Sequence, residues 1–220
     1  ILPDKTRLLI HLIAVSLLFY QLDVFSFSWY WIIIIAILSI GLINAYNFMD
    51  GINGITGGYS LIALLTLLYL NQKFHFIADQ LLIFVVLADL VFLFFNFRKK
   101  AKCFAGDVGS VSMAFILIFF TLLLMKQSSD YVFIMFFSVY GVDSILTIIH
   151  RLIKKENIFK AHRSHLYQYL ANEMRIGHIP VSILYFILQA IIDLILILKM
   201  QTSAISNEPL WLILVILFLS

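Results

Sequence analysis

The sequence predicts an all-α, multi-pass integral membrane protein of about eight transmembrane segments, and three observations carry that expectation. Hydrophobic residues make up 63% of the 220 and charged residues only 12%, with a mean hydropathy of +1.03; soluble domains run at roughly 45–50% and about 25%. Apolar runs recur along nearly the whole length, many of them close to the roughly 20 residues that span a bilayer. The runs are continuous rather than alternating, which argues against a transmembrane barrel. No gap between them has room for a large soluble domain, so residues 1–220 are expected to form a single polytopic membrane domain. The net charge of +3 then reports membrane topology and not a nucleic-acid partner.

The segments fall near 7–22, 29–46, 55–70, 81–97, 108–125, 131–149, 179–199 and from 209 to the end. The chain opens on Ile1 without a signal-peptide layout and stops at Ser220 inside an apolar run, so it is expected to be part of a longer protein, cut at both ends. Alternating spans place 1–6, 47–54, 98–107 and 150–178 on one face. With Arg7 at the start of the first segment, that face carries twelve of the fifteen Lys and Arg residues, and only Lys73, Lys126 and Lys199 remain for the other. The positive-inside rule makes the first face cytoplasmic in a cell (inner) membrane. Every polar cluster opens on that face.

The first cluster is Asn44 to Gly58, NAYNFMDGINGITGG. Asn44, Asn47, Asp50 and Asn53 recur at three-residue steps, which on a helix drift by about 60° each and sweep one side. Gly51, Gly54, Gly57 and Gly58 follow, ending the regular turn and letting backbone N–H groups approach a ligand. Carboxamides, one carboxylate and bare backbone donors suit a sugar, a base edge or a phosphate. The plainer alternative is a polar helix end with a glycine turn at the membrane surface.

The second cluster, Asn96 to Ser110, reads NFRKKAKCFAGDVGS. Asp107 falls between two glycines at or near a helix N-terminus, with cations close by. A carboxylate there suits Mg²⁺, which takes one or two carboxylates plus substrate phosphates; it equally suits an N-cap beside a solvated basic run. Cys103 is the only cysteine, so no intrachain disulfide forms. The third cluster runs from His150 to His178 and places His162, Arg163 and His165 within four residues. Two imidazoles and a guanidinium suit a diphosphate, the histidines sharing a face if the stretch is helical; a basic surface helix is the alternative. Zinc lacks a recognisable ligand spacing. Asp143 is expected to reach toward Arg151 or to hold the third loop in position. Asp89 and Asp193 are expected to make inter-helical contacts, and His11, His75 and His150 to be packing or interfacial residues.

NAYNFMDGINGI, KCFAGDVGS and HRSHLYQ, in that order and spacing, resemble the three cytoplasmic signature loops of the polyprenyl-phosphate N-acetylhexosamine-1-phosphate transferases. These membrane glycosyl-1-phosphate transferases initiate O-antigen, teichoic-acid linkage and peptidoglycan lipid synthesis, the last by phospho-N-acetylmuramoyl-pentapeptide transferase. The resemblance covers essentially the whole chain. It implies a catalytic domain and an Mg²⁺-dependent reaction, with Mn²⁺ as a substitute, between a UDP-N-acetylhexosamine and polyprenyl (undecaprenyl) phosphate. The products are polyprenyl-diphosphate-sugar and UMP. Asp107 would be the metal ligand. Asn44, Asn47, Asp50, Gly51 and Asn53 would line the nucleotide-sugar pocket, and Phe104 would lie against uracil. His162, Arg163 and His165 would hold the diphosphate, and with Asp107 and Asp50 they make up the implied catalytic set.

Asn53 stands where an aspartate is common in that family. The family's paired-aspartate motif has no counterpart here and is expected before residue 1. HRSHLYQ in place of three consecutive histidines places the chain nearer the O-antigen, lipopolysaccharide and capsule branch. The expected partners are a UDP-sugar, the polyprenyl phosphate lipid, the membrane and a second copy in a homodimer. A secondary transporter for an anionic solute and a non-catalytic membrane scaffold are the rival readings.

Overall fold

The computed structural model describes residues 4–157 and 164–201. Every regular element among them is helical. Helix α1 (Asp4–Gln21) leads through a 3-10 turn at Val24–Ser26 into α2 (Trp29–Met49), followed by α3 (Ile55–Phe74), α4 (Asp79–Asn96) and α5 (Gly106–Ser128). A 3-10 stretch at Tyr131–Phe137 then runs into α6 (Ser138–Ile153). The short α7 (Leu166–Gln168), a π turn at Tyr169–Glu173 and α8 (His178–Gln201) complete the described chain.

Seven of the eight expected membrane segments coincide with these helices, and the eighth, from 209 onward, lies outside the described residues. Five are long and apolar enough to cross a bilayer: α2, α4, α5, Tyr131–Ile153 and α8. The other two, α1 and α3, differ from the expectation for separate reasons. In α1 the apolar part, Leu8–Gln21, is short. In α3 the composition is diluted by Thr56, Ser60, Thr66 and Asn71, all buried, because α3 packs against α4, α5 and α8 at the centre of the bundle. A helix enclosed by protein does not need a lipid-compatible surface, and its polar groups find partners inside. Asn71 shows this: it donates to the Ile77 carbonyl at 2.7 Å and to Asp79 at 2.6 Å, closing the turn between α3 and α4.

The span after Tyr131 starts as 3-10 and not as α-helix. Its carbonyls are satisfied from outside the span: Gln189 Nε2 in α8 donates to Met135 at 2.9 Å, and the Tyr59 hydroxyl lies 2.9 Å from the Phe136 oxygen. Non-helical backbone at membrane depth persists only where protein supplies such partners. Around this point Tyr59 stacks on Tyr140 at 3.9 Å between centroids, with Tyr46 edge-on to Tyr140 at 4.9 Å. Asp193 makes the expected inter-helical contact, accepting from Thr66 of α3 at 3.1 Å. Asp89 makes no such hydrogen bond. It is 1% exposed, and neither carboxylate oxygen has a hydrogen-bond partner among the described residues.

Close approach of α3 to its neighbours depends on the adjacent glycines. A Cβ on Gly57 would lie 2.8 Å from Leu93 Cδ2, and one on Gly58 2.6 Å from Phe186 Cδ1. Small residues let helix backbones come this near in a membrane protein. Gly41, by contrast, has nothing within 4 Å of that position. Gly57→Leu and Gly58→Leu are therefore expected to destabilise the intact protein by about 1–3 kcal/mol each. Gly41→Leu should leave the detergent melting temperature near the parent's, and equal melting of all three variants would overturn this packing.

Candidate active site

The three polar clusters meet at one end of the bundle. Asp50 caps α2, with Oδ1 accepting from the Thr56 hydroxyl at 2.7 Å and Oδ2 from the Gly106 amide at 3.0 Å. That second bond ties the end of α2 to the opening turn of α5, where Asp107 is the next residue. One turn along, the Ser110 hydroxyl lies 3.0 Å from Asn47 Oδ1 and 2.8 Å from the Gly106 carbonyl oxygen. Asn47 and Asp50, one turn apart on α2, thus dock the glycine–aspartate turn. Asn44 lies half-buried a turn further into α2.

The two carboxylates at this corner differ in their surroundings. Burial raises the Asp50 carboxyl above its ordinary range, and the bonds from Thr56 and Gly106 offset part of that rise. The nearby Asp107 charge pushes it up again. Asp107 itself is exposed in the first turn of α5. Two carboxylates held this close, one open to solvent, form a donor set that suits a hard divalent cation completed by phosphate oxygens. Among the described residues no group of three or more His, Cys, Asp or Glu converges as a closed metal site. Phe104 is 72% exposed on the loop leading to this turn.

Asn53 is placed differently from the sequence expectation. It is buried, and its side-chain amide donates to the carbonyls of Arg98 at 2.7 Å and Lys99 at 3.3 Å. Its backbone amide donates to His178 Nδ1 at 3.4 Å, and its carbonyl accepts from Ser182 at 2.8 Å. The carboxamide nitrogen faces the basic loop and not an open pocket. Asn96 adds a second tie, accepting from the Gly54 amide at 2.6 Å and donating to the Cys103 carbonyl at 2.8 Å. An ionised aspartate at position 53 could only accept, so it would oppose two carbonyl oxygens. Asn53→Asp should cost about 1–3 kcal/mol in detergent melting at neutral pH. An unchanged melting temperature would remove the loop-holding role.

The third cluster is built on Asp143. Its Oδ1 lies 3.3 Å from His165 Nδ1 and accepts from the Leu166 amide at 3.0 Å; Oδ2 accepts from the Tyr185 hydroxyl at 2.6 Å. Thr147 adds a contact to His165 Nδ1 at 3.3 Å. A carboxylate partner fixes the imidazole proton on Nδ1. Asp143 therefore holds the third loop, one of its two expected roles, and does not reach Arg151, which pairs with Glu156 at 3.2 Å. His165 is only 3% exposed and opens α7 as its N-cap, so Ser164 and His165 are not helical as the shared-face reading required. His162 and Arg163 lie outside the described residues.

Tyr167 joins the third cluster to the first. Its hydroxyl donates to the Phe48 carbonyl at 2.8 Å, and a Cβ on Gly51 would collide with that same hydroxyl. Gly51 is the price of this contact. Sequence reasoning passed over Tyr167, Tyr185, Thr56 and Ser110 because isolated hydroxyls carry no spacing signal. Asp143→Asn should speed hydrogen exchange at the Leu166 and Tyr167 amides about tenfold, the loss of a charge-assisted bond. Unchanged exchange at both amides would show that Asp143 does not hold this segment.

Residues 2–125 match the family described as glycosyl transferase family 4. The chain belongs to that family. Among curated relatives, it is 29% identical over 185 residues to the probable undecaprenyl-phosphate N-acetylglucosaminyl 1-phosphate transferase of Bacillus subtilis strain 168, covering 82% of this chain and 49% of the relative. It is 26% identical over 136 residues to the phospho-N-acetylmuramoyl-pentapeptide-transferase of Latilactobacillus sakei, covering 61% and 42%. The enzyme of that name from Petrotoga mobilis is 45% identical over 78 residues, covering 35% and 23%. The chain spans about half the length, or less, of these members of the family. The family match takes in all of Asn44 to Gly58 and Asn96 to Ser110, the two clusters that the Asp50–Gly106 bond unites.

Proposed function

We propose that the intact protein transfers N-acetylhexosamine-1-phosphate from a UDP-sugar to polyprenyl phosphate, initiating a cell-envelope polysaccharide. The observation that carries this reading is the pairing of Asp50 with the Asp107 turn at the mouth of a membrane helix bundle. In the reaction an oxygen of the lipid phosphate attacks the sugar-bearing phosphorus of the UDP-sugar. The bond from that phosphorus to the bridging oxygen breaks, and UMP leaves with the electron pair. Such transfer is mostly positioning and charge neutralisation. Mg²⁺ held by Asp107 supplies that neutralisation when bound, with Mn²⁺ as a substitute.

This chain's own groups would do the positioning. Asp50 fixes the α5 opening turn and so aims Asp107 outward. In this reading Asn44, Asn47 and Gly51 line the nucleotide-sugar pocket, and the Phe104 ring, which is exposed, lies against uracil. His165 is buried on Asp143, and in this reading it acts with His162 and Arg163, which take the diphosphate. The twelve-to-three bias of Lys and Arg supports a cytoplasmic site in the cell membrane. HRSHLYQ supports an O-antigen or capsule role, and the Bacillus subtilis relative's name makes UDP-N-acetylglucosamine the first sugar to test.

The test uses membranes carrying the intact protein, polyprenyl phosphate and a panel of UDP-sugars, with UMP release as readout. Release is expected with at least one UDP-N-acetylhexosamine, to be lost on chelation and restored by Mg²⁺. Silence with every sugar would sink the enzyme reading. Asp107→Asn should lower turnover roughly a hundredfold or more, as other lost electrostatic contacts do. Its melting without Mg²⁺ should stay near the parent's: Asp107 is the exposed second residue of α5 and not its N-cap, so removing its charge forfeits at most the roughly 0.3–1 kcal/mol of an anion at a helix N-terminus. Parental turnover in this variant would move the metal to another carboxylate.

A further inference from the structure

The basic run that follows α4 stands at the mouth of a cavity the site does not use. This cavity, about 590 Å³, lies between α3, α4 and α8. Its walls are Leu61, Ile62, Leu90, Leu93 and Phe186, with Arg98 as the one charged residue in the lining. The volume falls in the range of built ligand sites, roughly 300–1,000 Å³. Leu90 and Phe94, which also line it, are exposed on the outer face of α4, so the cavity opens sideways from the bundle toward lipid.

Arg98 is held in place at that mouth. Its Nε donates to the Phe94 carbonyl at 2.6 Å, its guanidinium lies over the Phe94 ring at 4.6 Å, and its own carbonyl is fixed by Asn53. The two terminal nitrogens of the guanidinium make no hydrogen bond among the described residues. Lys99, Lys100 and Lys102 follow at once and are exposed. An apolar slot open to the membrane, ending in a fixed guanidinium with free donors and three neighbouring ammonium groups, is complementary to one molecule class in two parts. The slot suits a hydrocarbon chain. The mouth suits a phosphate, which arginine grips through paired N–H donors. A soluble ligand would need polar groups inside the slot, and Arg98 is the only charged group there.

We propose that this cavity binds an anionic glycerophospholipid, with one acyl chain between α3, α4 and α8 and the phosphate on Arg98. The bound lipid would rest on the same loop that Asn53 and Asn96 hold, a few residues before Gly106. Occupancy therefore bears on the order of that loop. The proposal does not depend on which reaction the protein performs.

The intact protein, purified in mild detergent, is titrated with dioleoylphosphatidylglycerol or dioleoylphosphatidylcholine, and bound lipid is counted by native mass spectrometry. Phosphatidylglycerol is expected to bind at lower concentration than phosphatidylcholine. Arg98→Ala should weaken phosphatidylglycerol about fivefold, the effect of one basic residue at an anionic headgroup, and weaken phosphatidylcholine too, since both lipids carry the phosphate that the guanidinium grips. Ile62→Trp fills the slot and should block both lipids. Where Ile62→Trp fails to fold, Leu90→Trp at the exposed lip makes the same obstruction. Equal affinity for the two lipids, or unchanged phosphatidylglycerol binding in the variants, would overturn the proposal. So would one-for-one displacement by polyprenyl phosphate, which would give the slot to that lipid's tail. A folded protein that binds neither lipid would likewise overturn it.

Discussion

The side chain and backbone of Asn53 hold together what the rest of the polar end depends on. Through four hydrogen bonds it joins the turn between α2 and α3 to the basic loop and to the first turns of α8. Helices that end at membrane depth leave amides and carbonyls that must be paired within the protein. The side chains of Asn53 and Asn96 pair four backbone groups between them at this end. With the loop fixed in this way, Phe104 stays outside the core and the chain arrives at Gly106 positioned to bond with Asp50. The acidic corner is thus a product of packing one layer below it.

Much of this arrangement was legible in the sequence, and the limits are physical. Long apolar runs located seven helices because burial and lipid exposure both demand apolar residues over a helical length. The grouping of Asn47, Asp50 and Asp107 followed from polar residues placed at helix ends on one side of the membrane. Asn53 misled because periodicity cannot tell a carboxamide that faces a ligand from one that faces a carbonyl. The polar content of α3 reads as a weak span, yet it marks a helix enclosed by α4, α5 and α8. His165 reads as a diphosphate contact or as part of a basic surface helix, and its burial was not legible because its carboxylate partner, Asp143, is 22 residues away at no recognisable spacing.

The family match and the geometry reinforce each other at different scales. The match over residues 2–125 takes in the first two clusters but stops before the third. Asp143, Tyr167 and Tyr185 extend the structural account past that limit by bonding the third cluster to α8 and to the end of α2. The His165 segment is therefore docked onto the same frame as the acidic corner.

The contact between Gly51 and Tyr167 has a consequence for descent. Because the tyrosine ring occupies the space that any side chain at 51 would need, a change at either position alters what the other can accept. A larger residue at 51 could persist only in a lineage where 167 had already shrunk or turned away. Loss of the tyrosine would in turn release the Phe48 carbonyl it now engages. The two positions, 116 residues apart in the chain, are thus one heritable unit, and sequences that pass through this fold should change them in step.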